Sequence, residues 1–439
     1  MALSGIQIYK LLPQTNCKEC GFPTCLAFAM KLAAKQVELS SCPYVSEGSK
    51  TQLAESAAPP IRLVALKSNG FEVKAGNEVV LYRHEKTFYN KPGVFVKVKD
   101  DRPADEISAE VAQVEAFVAN YVGIDLTIDG FAVESASGQP GKFADAVGAV
   151  RAASQRPLIL ASQNTDVMAA GLRAVDGETP LLFGADSSNW EAMADLAKQH
   201  KAALAVIGDS LDGISDLTEK IKGKGVEDLV IYPAGRGLSS QLILNTQIRR
   251  LAIKKNFHPL GYPTLAFASS LASVSQAISK YAGFIVLEHF APELAYPVLV
   301  LRQNIYTDPQ KPIQVQPGLY EINNPKPEDP VLVTTNFSIT YFSVANEVEG
   351  SGLPAWLLVT DAEGMSVLTA WAAGKFDSER IAKAVKTFNV ADKVSRHRLV
   401  LPGHVAVLSG ELEGELPDWE IRVGPREAVD IPKFMKQAL

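Results

Sequence analysis

From residue 94 onward, short runs rich in Val, Ile and Leu alternate with longer stretches whose apolar residues recur every three or four positions. The short runs are VFVKVK (94–99), LTIDGFAV (126–133), PLILAS (157–162), LLFGA (181–185), LAVIG (204–208), DLVIYPAG (228–235), TLAFAS (264–269) and GFIVLEHF (283–290). Such near-continuous apolar runs predict strands buried on both faces, as in a parallel sheet. Amphipathic stretches such as ISAEVAQVEAFVANYV and SQLILNTQIRRLAIKK lie between them. Eight strand-then-helix repeats predict a closed TIM (β/α)8 barrel, with the loops after the strands as its candidate active face. Ahead of it, IRLVALK and FEVKAGNEVVLYRH predict a small antiparallel cap turning at Asn69-Gly70 and Gly76-Asn77.

A second alternation starts at residue 331: VLVTTNF, AWLLVT, RLVLPG and WEIRVG, each followed by a loop and a helical stretch. This predicts an open, Rossmann-like α/β sheet, whose ligands bind outside the carboxyl ends of the strands. Two seams separate the regions. SEGSKTQLAESAAPP (46–60) is small, polar and ends in prolines, and the stretch 306–330 is rich in prolines, which helices and central strands exclude. The expected class is α/β in three domains: 1–58, 59–310 and 325–439.

Composition narrows the function. At 47% hydrophobic and 21% charged the chain reads as globular, and a formal charge of −6 without a basic aromatic strip argues against nucleic acid. The opening MALSGIQIYKLLPQ lacks a signal-peptide pattern, and no stretch of eighteen apolar residues supports a membrane span. A cytoplasmic location is therefore expected, where clustered thiols are metal ligands rather than disulfides.

All four cysteines lie in the first tenth of the chain: Cys17, Cys20, Cys25 and Cys42, spaced C-x2-C-x4-C-x16-C. Gly21 and Pro23 provide a tight turn. Leu26, Met30, Ala33 and Val37 recur at helical spacing and predict a helix that carries the chain out before SSCPY returns the fourth thiol. Four thiolates suit a structural zinc ion or a 4Fe–4S cluster. Zinc sites favour two C-x2-C knuckles and only one is present, while the proline after Cys42 resembles the ending of ferredoxin cluster runs.

In the C-terminal region TTNFSIT (334–340), EGMSVLTAWAAGKF (363–376) and LPGHVAVLSGELEGELP (401–417) combine small residues with hydroxyls and amides. Small side chains let backbone approach a large flat ligand, and the polar groups bond its periphery. No G-x-G-x-x-G follows the first strand and no phosphate-loop motif occurs, which argues against a dinucleotide. The Asp-x-His-x-x-Gly loop that ligates cobalt in some cobalamin domains is absent. His397 and His404 are the histidines of this region, and a lone histidine is more often packed or exposed than a ligand. In the barrel, Asp129, Glu134, Asp186, Glu288 and His289 fall near predicted strand ends, where paired acids could serve proton transfer or simply be polar.

These motifs resemble, in order and over the whole chain, the large (gamma) subunits of corrinoid iron–sulfur proteins of the acetyl-CoA synthase/CO dehydrogenase pathway. TNCKECGFPTCLAFAMKLA, TTNFSITYF, MSVLTAWAAGKF and PGHVAVLSGELEGELPDWEIRVGPREAVDIPKF carry the resemblance. It implies a methyl carrier that accepts a methyl group from methyltetrahydrofolate, through a methyltransferase, on Co(I) of a base-off corrinoid. The group is then delivered to acetyl-CoA synthase. It implies that Cys17, Cys20, Cys25 and Cys42 hold a 4Fe–4S cluster that re-reduces cobalt. Corrinoid contacts are implied at Thr340, Asn346, Ala370, Trp371, Ala372, Ala373, Gly403 and Lys436. Partners implied are the small subunit, in a heterodimer, the methyltransferase, and acetyl-CoA synthase/CO dehydrogenase. Two alternatives stand beside it. One is a barrel methyltransferase that alkylates its own corrinoid, with Asp129 and Asn164 as pterin-binding candidates. The other is an iron–sulfur electron-transfer protein without corrinoid.

Overall fold

The computed structural model describes residues 4–33, 36–50, 53, 59–85, 87–235, 237–308 and 312–438. Val64–Ser68 (β1) and Phe71–Ala75 (β2) pair antiparallel. Asn69 and Gly70 turn between them with φ 43° and 89°, matching the strand twist as a two-residue hairpin loop must. The chain turns again at Gly76-Asn77, but among the described residues before β3 no second strand pair follows, and Asn77 N–H donates to the Ile61 carbonyl at 2.8 Å. The expected cap is thus one hairpin. The described residues between 77 and 92 are irregular and held by a buried ion pair. Glu78 lies 3.2 Å from Arg249, whose guanidinium covers the rings of Tyr281 and Phe88. Burial holds the Glu78 carboxyl above its usual range against the pull of Arg249.

The barrel opens with Gly93–Lys99 (β3) and the helix Ala104–Glu115. The helical period that ran to residue 122 ends early. Ala119–Tyr121 (β4) and Ile124–Leu126 (β5) form a hairpin turning at Val122-Gly123, φ 46° and 77°. The second barrel strand therefore begins only at Gly130, not at residue 126. Gly130–Glu134 (β6), Leu158–Ala161 (β7), Leu181–Ala185 (β8) and Ala203–Gly208 (β9) follow. Leu229–Pro233 (β10), Thr264–Ala268 (β11) and Ala282–Leu287 (β12) complete the set. All pairs are parallel, and β12 closes on β3. Phe95, Ile159, Val230 and Phe284 fill the interior, and Val64, Leu66 and Ala75 of the β1–β2 hairpin close its N-terminal end. Each fully buried Val, Leu, Ile or Phe side chain among them contributes about 1.5–3 kcal/mol.

The chain divides into two compact units, Met1–Ala119 with Leu126–Tyr306, and Asn120–Asp125 with Thr307–Leu439. The second unit is a five-stranded sheet of Gly318–Ile322 (β13), Val331–Thr335 (β14), Ala355–Thr360 (β15), Arg398–Leu401 (β16) and Glu420–Val423 (β17). Its order is β13-β15-β14-β16-β17, parallel except for β13. The edge strand β13 lies in the proline-rich stretch expected to be a seam; prolines flank it without interrupting it, as an antiparallel edge allows. Of the other seam, residues 47–50 are helical behind Ser46, and 51–52 and 54–58 lie outside the described residues. Among the described residues no helix is long and apolar enough to cross a membrane.

Candidate functional site

The helices Gly5–Leu11 and Cys25–Ala33 cross so closely that a Cβ on Gly5 would collide with Met30 Sδ. Between them the loop bearing Cys17 and Cys20 is wound by left-handed residues Gln14, Asn16, Lys18 and Gly21, φ 57°, 49°, 67° and 80°. Repeated left-handed steps reverse the chain within a few residues and fold the thiols toward the helix start. Asn16 Oδ1 accepts the N–H of Cys25 at 2.8 Å. Cys25 and Cys42 are buried, Cys20 is half-buried and Cys17 exposed. The first three share a small core with Ile8, Phe28 and Val45.

Tyr44 marks the fourth. Its hydroxyl donates to Glu19 at 2.8 Å, and that bond, with the nearby Cys17 and Cys42 adding to it, holds the phenol above its usual range. No histidine precedes His84, so the segment offers four thiols and no imidazole, and four thiols suit iron–sulfur or zinc. Among the described residues no three His, Cys, Asp or Glu side chains stand close enough to hold a single ion. The helix buries Cys25, Phe28 and Ala29, while Leu26 and Met30, whose spacing helped predict it, are 43% and 57% exposed. Packing around the thiols, not the aliphatic period, sets the inner face.

At the C-terminal ends of the barrel strands, Lys97 lies 3.2 Å from Glu134 and also pairs with Glu288. Burial works against the Lys97 charge, but the hydrogen bonds it donates to the two carboxylates outweigh it and hold the ammonium above its ordinary value. Phe183, Tyr232 and Phe267 pack at 4.9–5.6 Å in the same part of the barrel. Asp129 is elsewhere. It precedes β6, accepts the Val94 N–H at 2.8 Å and pairs with Arg302, so it braces the N-terminal end. Asn164 caps the helix Thr165–Arg173, accepting from Asp166 and Val167 at 2.9 and 3.3 Å. Asp186 accepts from Ser188 at 2.7 Å in the loop after β8. His289 is exposed. The two pterin-binding candidates, Asp129 and Asn164, thus serve opposite ends of the barrel.

In the second unit the strand order reverses between β14 and β16, and a cavity of about 310 Å³ opens at their carboxyl ends. Ile339 and Thr340 of the helix Ser338–Ser351, Val367 and Leu368 of the helix Val367–Ala372, and the loop Gly424–Ala428 form its walls. Thr340 lies at the cavity, as does His404, whose Nε2 is 3.6 Å from Glu427. His397 instead stacks on Trp419. Gly403 donates its N–H to Pro425 at 2.9 Å, and a Cβ there would lie 2.6 Å from the Gly424 carbonyl oxygen, so close approach of the wall loop demands glycine.

Ala370 is buried in the core beneath the helix Val367–Ala372; Trp371, Ala372 and Ala373 are exposed where that helix ends. Asn346 and Lys436 are exposed on the helices Ser338–Ser351 and Ile431–Ala438, outside the cavity walls. Asn336, read with the hydroxyls around it as a ligand-bonding amide, is spent internally. Its Oδ1 accepts from Ala362 and Gly364 at 2.9 and 3.0 Å, and its Nδ2 donates to Gln314 and Asp361. The wall loop Gly424–Ala428 lies within a motif that carries the resemblance but is not among the expected corrinoid contacts; its signal is the Gly-Pro pair directly after the last strand.

A family profile described as CO dehydrogenase/acetyl-CoA synthase delta subunit matches residues 64–435, and an Fe-S cluster profile matches residues 12–44. The corrinoid/iron-sulfur protein large subunit of Moorella thermoacetica is 44% identical over 100% of both chains. The acetyl-CoA decarbonylase/synthase complex subunit gamma of Methanopyrus kandleri is 34% identical over 99% of this chain and 98% of its own. Among solved structures, a dihydropteroate synthase from Thermus thermophilus aligns with 56% of this chain and 100% of that one, at 16% identity and TM-score 0.39. With relatives of this identity spanning it from end to end, the chain belongs to the family of corrinoid/iron-sulfur protein large subunits and acetyl-CoA decarbonylase/synthase gamma subunits.

Proposed function

We propose that this protein is the methyl carrier of the acetyl-CoA pathway, with a 4Fe–4S cluster in its N-terminal segment and a corrinoid in its C-terminal unit. The observation that carries the reading is the pairing of an all-sulfur head with a cavity at the sheet's switch point, in a chain collinear with the corrinoid/iron-sulfur large subunit. When bound, cobalt in its Co(I) state supplies the nucleophile that takes the methyl group, and the cluster supplies the electron that restores that state.

Cys17, Cys20, Cys25 and Cys42 would hold the cluster, and Asn16 of the left-handed loop bonds the first turn of the helix that begins at Cys25. Gly403 and Thr340 would lie against the corrinoid, with Asn346, Ala370–Ala373 and Lys436 as further contacts. No histidine would be needed among the residues that hold the corrinoid. Withholding a nitrogen donor makes reduction easier, in keeping with the missing Asp-x-His-x-x-Gly loop. The large-subunit relatives support a small-subunit partner within an acetyl-CoA synthase complex. A methyltetrahydrofolate:corrinoid methyltransferase as donor and a cytoplasmic setting complete the proposal.

Anaerobic co-purification with the small subunit tests it: cobalt near one and iron near four per chain are expected, and a preparation with zinc and no cobalt would overturn it. Cys20→Ala is expected to impair reductive activation while sparing methyl uptake by cofactor already in Co(I). Methyl transfer from methyltetrahydrofolate without an added methyltransferase would favour catalysis by the barrel instead.

A further inference from the structure

In the N-terminal segment one hydrogen bond joins the turn that carries Cys20 to the chain that returns with Cys42. The turn spans Lys18–Gly21 and is closed by the Gly21 N–H, which donates to the Lys18 carbonyl at 2.9 Å. Glu19 and Cys20 occupy its two central positions, so one short piece of backbone orients both the carboxylate and the thiol. On the returning chain, Cys42 closes the helical turn Leu39–Ser41 by donating its N–H to the Leu39 carbonyl at 3.1 Å. Pro43 follows, and its ring fixes one dihedral between Cys42 and Tyr44. The Tyr44 hydroxyl then donates to Glu19 Oε1 at 2.8 Å, across 25 positions of sequence, with Cys17 and Cys42 both near it.

Packing alone does not place this pair. The core buries Cys42 and Val45 to 4% exposure each, but Tyr44 between them is 52% exposed and Glu19 is exposed as well. Hydrophobic burial is non-directional, so it holds the returning chain down without setting which way a side chain faces. A metal ligand needs that direction. A hydrogen bond supplies it, and a carboxylate acceptor strengthens the bond. We propose that Glu19 and Tyr44 are positioning residues, whose bond latches the Cys42 segment to the Lys18–Gly21 turn and so keeps the fourth thiol in register with the other three. Neither side chain ligates iron, and each acts through a neighbouring cysteine. The inference rests on the cluster reading above.

The test uses the full chain with its small subunit, purified anaerobically, and follows iron release to bathophenanthroline sulfonate. Mild oxidation with ferricyanide, read by electron paramagnetic resonance, adds a spectroscopic signature, because a cluster whose cysteine strays gives up the iron that cysteine held. Tyr44→Phe keeps the ring and removes only the donor. It is expected to release iron about two- to tenfold faster than wild type and to show more of the signal of a cluster missing one iron. Glu19→Ala should match it, and Glu19→Gln, whose amide oxygen still accepts, should fall between Glu19→Ala and wild type. The double variant should release iron no faster than either single one, since both remove the same bond. Corrinoid content should stay at the wild-type level throughout. Wild-type release from Tyr44→Phe, Glu19→Gln as fast as Glu19→Ala, multiplied effects in the double variant, or joint loss of corrinoid each overturns the latch and leaves the carrier reading intact. A wild type without iron overturns both.

Discussion

The side-chain carbonyl of Asn16 holds the N–H of Cys25 at 2.8 Å. One short bond thus ties the cysteine loop to the first turn of the helix that carries the third thiol. Asn16 is itself left-handed, a conformation asparagine tolerates better than residues without a local side-chain acceptor.

Asn16→Ala removes this cap and strains the loop, each at about 1 kcal/mol. The N-terminal core is too small to absorb both losses. Iron per chain after anaerobic gel filtration is expected to fall below wild type, with corrinoid content unchanged. Full iron retention would show that the bond does not position the thiols.

Gly403→Ala places a methyl group 2.6–2.9 Å from backbone atoms of Gly424, Pro425 and Arg426. Backbone cannot rotate away as a side chain can, so a destabilisation of about 1–3 kcal/mol is expected. Thermal melting and corrinoid titration should both register it, because the displaced loop is a cavity wall.

Lys97→Met leaves the Glu134 and Glu288 carboxylates without their shared cation. The lysine is buried but the acids are a third exposed, so solvent screening limits the loss to about 1–3 kcal/mol. The melting temperature should drop while iron and corrinoid contents and methyl uptake from an added methyltransferase stay at wild-type levels. Loss of methyl uptake in a fully loaded protein would instead assign these barrel residues to the reaction.

Hydrogen bonds from Arg398 and Arg422 hold the Glu420 carboxyl below its ordinary range. Its stabilising contribution is therefore complete above the ordinary value of 4.5 and is lost as pH falls through the lowered one. Glu420→Gln should flatten the acid limb of the melting curve below pH 4.5 and leave the neutral limb with little further pH dependence. Parallel acid limbs in the two proteins would rule out this linkage.

Sequence alone determined the parts set by local chemistry and repetition. Eight buried runs, each followed by a helical stretch, mark the closed parallel barrel, four thiols lie within 26 residues, and four later runs mark the parallel strands of the open sheet. The motifs at either end also sufficed to name the family. Tertiary structure decided what depends on competition between neighbours. Asp129 falls at a predicted strand end, yet Arg302, 173 residues away, claims it for the opposite end of the barrel. Asn336 sits in a motif read as ligand-binding, yet four partners from other loops consume its amide. Thr334 and Thr335 look alike in sequence and both keep unpaired hydroxyls, but Thr334 lines the cavity and Thr335 does not. A side chain's role is fixed by which donors and acceptors remain free after folding, and that remainder is a property of the packed chain, not of the local motif.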